Sequence, residues 1–457
     1  MYIKRAIEQH VKQSEKTFKA VLITGARQTG KATLLKHLFP QTKYVSIDDP
    51  FIEEQANENP NMFMMLNPPP IIYDEVQRTP DLFRYIKLKC DESEKKGQFL
   101  LSGSQPLELM ESAAESLSGR VCVIELSGLS LREISGDPYA KPFVPNMEYI
   151  KERSKSAKPL SDIWTKIHRG SYPQLQDESI AWDAFYGSYV KTYLERDVRQ
   201  LSAVQDLNDF RKFMVAVAAR TGQMLNLTNI ADEISKSLPT VSRWISILES
   251  SGIIYLLEPY TNSVLKRATK TPKLYFRDTG LAAYLTRWLT PETLANGAMS
   301  GAFFETFVIS EILKSFANCG IDYRYCVSYY RGRDKVKVHK DGTMYEKESE
   351  IDLIIEQDGI LYPIEIKKRS EYFCGSNRCI YCFGQNSGEK KRNGCSCLSM
   401  SAAGAFTRKY TSSSSVVYLN YLQKTSRGAS AGGCASVFTF VSASACLRIR
   451  SSLRFPS

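Results

Sequence analysis

The chain runs to 457 residues, 43% hydrophobic and 24% charged, with a formal net charge of +11. That length holds about two to four domains, while no uninterrupted apolar run reaches the ~18 residues of a membrane span and the charged opening MYIKRAIEQH lacks the apolar stretch of a secretion signal. The positive excess is concentrated: residues 371–457 hold 11 of the 60 Lys and Arg but 2 of the 49 Asp and Glu, leaving 49 against 47 in residues 1–370, which removes most of the charge argument for nucleic acid.

A cytoplasmic chain with no membrane partner is expected, since residues 1–370 contain four scattered cysteines, Cys90, Cys122, Cys319 and Cys326, and no disulfide framework. The first predicted strand is AVLITG, residues 20–25, apolar and β-branched. It runs into GARQTGKATLL, residues 25–35, whose second half has apolar residues at helical spacing. Strand, glycine-rich turn and helix together aim backbone N–H groups and a helix N-terminus at phosphate. The loop residues Gly25, Arg27, Gly30, Lys31, Ala32 and Thr33 are the expected ATP contacts, with Lys31 reaching the β and γ phosphates. The loop pattern wants Ser or Thr at position 32 to ligate Mg²⁺, and Ala32 cannot. Thr33 is one residue on, which turns its side chain through ~100° and makes it a poor substitute.

PPPIIYDEVQ, residues 68–77, reads as a short buried strand ending in two carboxylates. Carboxylates there are costly unless they serve something. Beside a phosphate loop Asp74 would hold Mg²⁺ and Glu75 would orient or deprotonate a water. QFLLSGSQ, residues 98–105, predicts a third strand with Ser102, Ser104 and Gln105 at its polar end, Ser104 being a candidate γ-phosphate sensor. Arg120, just before the strand VCVIEL (121–126), is a candidate arginine finger for the same or a neighbouring subunit, or else a surface cation.

Residues 181–202 carry Trp182, Phe185, Tyr189 and Tyr193 at helical spacing, a core stripe leading to the charged triplet Glu195, Arg196 and Asp197. Residues 206–258 predict a winged helix: a helix over Asp209–Thr221, a second over 227–234 capped by Thr228, a turn with Pro239, a third helix up to Gly252, and a strand over 253–260. Its exposed face would offer Ser237, Thr240, Ser242 and Arg243 to DNA or to protein. SEIDLIIEQDGILYPIEIKK, residues 349–368, predicts two strands about a turn at Asp358-Gly359. Asp352, Glu365 and Lys367 fall as D-x₁₂-E-x-K, with Glu305 a further candidate ligand, the spacing of a metal-dependent nuclease or of a solvated sheet face.

GARQTGKATLL, SIDDP (46–50), residues 68–87, FLLSGSQ, LSGRVCVIELSGLSLRE (117–133), SYVKTYLERDV (188–198), KLYFRDTGLAAYL (273–285), GAFFETFVISEILK (301–314) and residues 349–368 together resemble the prokaryotic AAA-type ATPases that carry a C-terminal domain of unknown function numbered 4143. The resemblance implies an α/β chain: a P-loop parallel-sheet ATP-binding domain at 1–135, a helical linker at 136–204, a winged-helix segment at 205–262 and an incomplete restriction-endonuclease-like domain at 263–370. It implies roles for Lys31, Asp74, Glu75, Ser104 and Arg120, but none for Ala32, and it allows a homo-oligomer. The pattern stops near residue 370. The remaining 87 residues, with 17 serines and seven cysteines, lose periodicity and read as an aberrant tail without regular structure. Cys374, Cys379, Cys382, Cys395 and Cys397 would form a zinc cluster on one reading and are accidents of an altered reading frame on the other. ATP binding with weak hydrolysis is the leading expectation. A nucleotide-regulated binding module without useful hydrolysis, and a metal-dependent nuclease, are the alternatives.

Overall fold

The short apolar segments of the first 126 residues become strands because each is too short for a helix and is bounded by turn residues. The computed structural model describes residues 2–104, 117–156, 162–194, 207–261, 270–337, 344–368 and 417–420. The strands β1 (Ala20–Thr24), β2 (Lys43–Ser46), β3 (Ile71–Asp74), β4 (Phe99–Ser102) and β5 (Val121–Glu125) form one parallel sheet in the order β2-β3-β4-β1-β5. Both faces of the sheet are covered, which is why β1 and β3 are buried at every residue. On one face Leu22, Tyr73 and Leu101 meet Phe83 and Ile86 of α5 (Leu82–Glu92). On the other, Val21, Ile23, Ile72 and Leu100 meet Val11 of α1 (Glu8–Thr17) and Leu34 and Leu35 of α2 (Lys31–Leu38). Two further helices, α3 (Pro50–Glu58) and α4 (Pro60–Leu66), start with a proline behind the capping side chains of Asp49 and Asn59.

A parallel sheet delivers the C-terminal ends of all its strands to one edge. The residues after β1, β3, β4 and β5 therefore share that edge.

The described residues of 163–194 are largely helical, and the helix Leu207–Ala218 is followed by β6 (Gln223–Met224), the helices Leu227–Ile234 and Leu238–Ser250, β7 (Ile254–Leu257) and β8 (Lys273–Phe276). These three strands make an antiparallel sheet in the order β6-β8-β7. The expected cap Thr228 lies inside its helix: Asn226 is the N-cap, its side chain accepting from the Asn229 N–H at 3.0 Å. Ser237 caps the next helix. Gly252, at φ +72°, follows that helix where a left-handed residue ends it. The boundary expected at 262 runs through the antiparallel sheet, because Leu274 pairs with Leu256 across it.

The helix Ser300–Ala317 and the hairpin of β9 (Val327–Lys337), β10 (Met344–Gln357) and β11 (Ile360–Lys367) complete the chain as far as 368. Their apolar side chains do not build a separate interior. Phe303, Ile312, Leu353, Ile355, Ile364 and Ile366 belong to the same hydrophobic core as Trp244, Leu274 and Tyr275. Within β10 the two-residue alternation of an ideal strand is broken by a bulge between Ile351 and Ile354. Ile351 and Ile354 consequently face a small cluster with Tyr260, while Leu353 and Ile355 face the main core. The tail is not wholly without regular structure: β12 (Val417–Asn420) pairs in parallel with Ile364–Lys367. The triplet Glu195, Arg196 and Asp197, Gln105, and the tail cysteines lie outside the described residues. Among the described residues no helix is long and apolar enough to cross a membrane.

Candidate functional site

The loop after β1 wraps the start of α2, as its glycines dictate. Gly25 sits at φ +138°, and a Cβ there would lie 2.3 Å from the carbonyl oxygen of Leu126, so both backbone conformation and the neighbouring chain demand glycine. Gly30 is the left-handed N-cap of α2 at φ +93°. The Lys31 side chain is buried and folds over the loop, its Nζ donating to the carbonyls of Gly25 at 3.0 Å and Ala26 at 2.9 Å. Thr29 closes the turn by donating to Ala26 O at 2.9 Å, and Arg5 Nη1 donates to Thr29 O at 2.9 Å. Arg27 is half-buried on the loop, Ala32 half-buried in the first turn of α2, and Thr33 exposed. The side chain at 33 thus points elsewhere than the one at 32.

On the same sheet edge Asp74 ends β3, buried, with both carboxylate oxygens engaged: Ser102 Oγ donates to Oδ1 at 2.5 Å and Tyr44 OH to Oδ2 at 2.6 Å. Burial first, then the hydrogen bond to Asp74, raises the Tyr44 phenol above its ordinary pKa, so it stays a donor. Glu75 adopts the left-handed conformation at φ +55°, uncommon for a side chain of this kind, and turns its carboxylate toward β4. There it accepts from Ser104 Oγ at 2.9 Å and from the amide of Gln77. Lys31, Asp74, Glu75 and Ser104 are thus brought to one edge.

Arg120 is not. It precedes β5, whose residue Val121 pairs with Ala20 at the start of β1, so it stands at the far end of the sheet from the loop, roughly a strand length of ~16 Å away. It forms an exposed ion pair with Asp91. As a finger within its own chain it is ruled out by that geometry. A cation from the C-terminal half that does reach this edge is Arg277, which follows β8 and pairs with Glu125 at the end of β5. Burial alone would lower the Arg277 pKa, but Glu125, with Tyr323 and Tyr255, more than offsets it and raises the pKa. The turn at Gly252 also abuts the loop, where a Cβ would stand 3.4 Å from Ala26 N. Further along, Glu311 of the long helix accepts from Leu131 N at 2.7 Å, and Lys314 donates to Leu129 O at 3.0 Å. The back of the loop, the end of β5 and the helix Ser300–Ala317 therefore form one continuous surface, enclosing a small cavity of about 40 Å³ lined by Ala26, Thr29, Glu125, Tyr172, Arg277 and Lys314.

The second candidate cluster also assembles. Lys367 Nζ lies 2.5 Å from Glu365 Oε1 and 3.6 Å from Asp352 Oδ2, and Asp352 accepts from Ile366 N at 2.7 Å. Burial and the Asp352 charge push the Glu365 carboxyl up to about 6, and the same two causes raise Glu305. Glu305, on the long helix, turns to β8: it accepts from Tyr275 OH at 2.6 Å and lies 3.4 Å from Lys273 Nζ. Among the described residues no three His, Cys, Asp or Glu side chains converge as a metal-ligand group, so the spacing D-x₁₂-E-x-K meets in space without forming a three-ligand site.

Sequence reading missed Arg5, Tyr44, Gln77, Glu125, Lys273, Tyr275 and Arg277. All but Gln77, which bonds Glu75 two residues away, act across strand pairings or between elements far apart in the chain, which no local spacing reports.

Residues 17–135 match the model of an AAA domain, residues 300–373 that of a domain of unknown function (DUF4143), and residues 160–292 that of a domain of unknown function (DUF8612). The last span contains β8 together with its partners β6 and β7. The chain is similar to two uncharacterized proteins, Rv2008c of Mycobacterium tuberculosis (strain ATCC 25618 / H37Rv) and Mb2031c of Mycobacterium bovis (strain ATCC BAA-935 / AF2122/97). Each is 28% identical over 356 residues, covering 77% of this chain and 70% of the other. Among solved structures it is similar to the Walker-type ATPase PABY2304 of Pyrococcus abyssi, at 12% identity and a TM-score of 0.40, over 61% of this chain and 94% of that one.

Proposed function

From an AAA domain at residues 17–135 as premise, we propose that the chain binds ATP with Mg²⁺ at the loop 25–33 and hydrolyses it slowly, and that the nucleotide state biases contacts of the C-terminal region. The observation that carries this reading is the convergence on one sheet edge of the glycine turn, the buried Lys31, the buried Asp74 and the Glu75–Ser104 pair.

Lys31 would exchange its two loop carbonyls for β and γ phosphate oxygens, and the backbone N–H groups at the start of α2 would supply the remaining donors. Mg²⁺ bound with ATP would draw charge from the phosphates; Asp74 is the carboxylate suited to hold it through water, and Ala32 offers it no hydroxyl. Glu75, oriented by Ser104 and Gln77, is the group to position the attacking water or take its proton. Arg120 can serve such a site only from a neighbouring copy in an oligomer. Transmission rests on Gly252 against Ala26 and on the Arg277–Glu125 pair, both adjoining the loop.

The test is calorimetric MgATP binding and phosphate release on the whole chain beside Lys31→Ala. Binding that disappears in Lys31→Ala supports the reading; binding that Lys31→Ala leaves intact sinks it. A second reading, a nucleotide-regulated module that contacts DNA or protein, is favoured by the order helix, strand, helix, helix, strand, strand over 207–276, which suits a winged helix. The helix Leu238–Ser250 presents exposed Ser242 and Arg243 beyond its cap Ser237. Duplex DNA binding that weakens with salt and with Arg243→Ala would support DNA as the partner. Cleavage by the Asp352, Glu365 and Lys367 cluster would need metal-dependent activity that Asp352→Ala abolishes.

A further inference from the structure

Lys273 is an unusual residue for its position. It opens β8, the middle strand of the antiparallel sheet, and only 4% of its side chain is exposed. A lysine buried to that degree is held there by carboxylates, because an unpaired ammonium in such a place is too costly to persist. Its Nζ lies 2.5 Å from Glu350 Oε1 and 3.4 Å from Glu305 Oε1. Those partners come from β10 and from the helix Ser300–Ala317, so three elements converge on one ammonium.

The same carboxylates border the cluster that resembles a cation site. Glu305, Glu350, Asp352 and Glu365 are served by two lysines: Lys273 takes the first two and Lys367 the last two. A divalent ion shared among them would compete for oxygens already in use, one on each of Glu305, Asp352 and Glu365. Glu305 Oε1 accepts from Tyr275 and lies by Lys273, Asp352 Oδ2 accepts from the Ile366 N–H, and Glu365 Oε1 lies by Lys367. With those oxygens taken, and no three acidic side chains converging as a ligand group among the described residues, the donor set does not fit a bound metal as it stands.

We propose that Lys273 is a built-in counter-ion, delivered by the neighbouring antiparallel sheet, that holds the carboxylate cluster in a metal-free state and locks that sheet to the β10–β11 hairpin. The ammonium supplies, in a fixed position, the positive charge that a cation would otherwise bring. Lys367, by contrast, is half-exposed at its tip and can move without breaking the core. Lys273 cannot leave without shifting β8.

The experiment is Mn²⁺ binding to the full chain without nucleotide, followed by the electron-paramagnetic signal of free Mn²⁺, for the wild type, Lys273→Met, Lys273→Arg and Asp352→Asn. Asp352→Asn identifies any Mn²⁺ held at this cluster. In the wild type and in Lys273→Arg no Asp352-dependent binding tighter than about millimolar is expected. Lys273→Met, similar in length and uncharged, should gain an Asp352-dependent Mn²⁺ at least about tenfold tighter. Wild-type binding that Lys273→Met fails to improve overturns the proposal, and so does a folded Lys273→Met that gains none. Should Lys273→Met not fold, Lys273→Gln removes the charge while keeping a donor for Glu350 and Glu305, and absence of any gain there overturns the proposal equally. Because no nucleotide is present, the outcome is independent of the reading at the loop 25–33.

Discussion

Replacing Ala32 by threonine tests what the loop lacks. Position 32 lies in the first turn of α2, directly after Lys31 and half-buried, so a β-branched side chain there costs the helix at most about 0.5 kcal/mol. Folding should be almost unchanged. Asp74 is already held by Ser102 and Tyr44, and Lys31 by two carbonyls, so the new hydroxyl adds one ligand to an otherwise built site. A contact to a charged partner contributes about 1.5–3 kcal/mol, and each 1.36 kcal/mol is a factor of ten in rate, so turnover should rise about 10- to 100-fold. Nucleotide affinity should change far less, because the backbone cradle and Lys31 are shared by both proteins. The assay is steady-state phosphate release at saturating ATP across a Mg²⁺ titration, with Lys31→Ala as the blank. A folded Ala32→Thr no faster than the wild type at every Mg²⁺ concentration refutes the reasoning, and with it the view that position 32 limits turnover.

Gly25→Ala forces a side chain to φ +138° and a Cβ to 2.3 Å from Leu126 O; the backbone strain alone is about 1–3 kcal/mol, so the urea midpoint should fall and ATP binding should be lost, and an unaltered affinity by calorimetry would contradict the loop geometry. Arg120→Ala should leave ATP binding by a single chain untouched, since Arg120 pairs with Asp91 at the opposite end of the sheet; a weaker affinity at high dilution would refute that placement. Glu365, raised to about 6, takes up a proton in the folded chain before the unfolded chain does. Its contribution to stability therefore grows as pH falls from about 7 toward the unfolded value near 4.3 and is absent above the folded value, an effect of about 1–2 kcal/mol. Urea midpoints at pH 5.5 and 7.5 should differ less in Glu365→Gln than in the wild type; equal differences in the two proteins would rule this out.

Local chemistry was legible wherever one short segment carries the whole signal. The apolar run before Gly25 could only be a buried strand, and Gly25 and Gly30 mark a turn that tolerates no side chain, so loop and helix followed directly from residues 20–38. The carboxylates Asp74 and Glu75, at the end of a strand too short and apolar for anything but a sheet interior, announced a use for themselves. The hairpin of β10 and β11 was legible from its turn at Asp358-Gly359, although the bulge that separates Ile351 and Ile354 from Leu353 and Ile355 was not. Capping was the weaker inference, because Thr228 and Asn226 are both acceptable caps by composition and only the chain's path selects Asn226.

What the sequence by itself determined is therefore a partial inventory: the strand before and the helix after the glycine turn at 25–30, the strands ending at Asp74 and Ser102, the hairpin about Asp358-Gly359, that Ala32 lacks a hydroxyl, and that the family pattern ends near 370. Strand order was decided only in three dimensions, and it is strand order that puts Tyr44 and Ser102 on Asp74, while the parallel direction of β5 leaves Arg120, which precedes it, at the far end of the sheet. The pairing of β8 with β7 likewise carries Arg277 to Glu125 and Lys273 to Glu305 and Glu350. Backbone conformation at the turns is set by neighbours a few residues away. Charge pairing depends on which distant elements share a surface, and many arrangements of the same segments satisfy the local rules equally well.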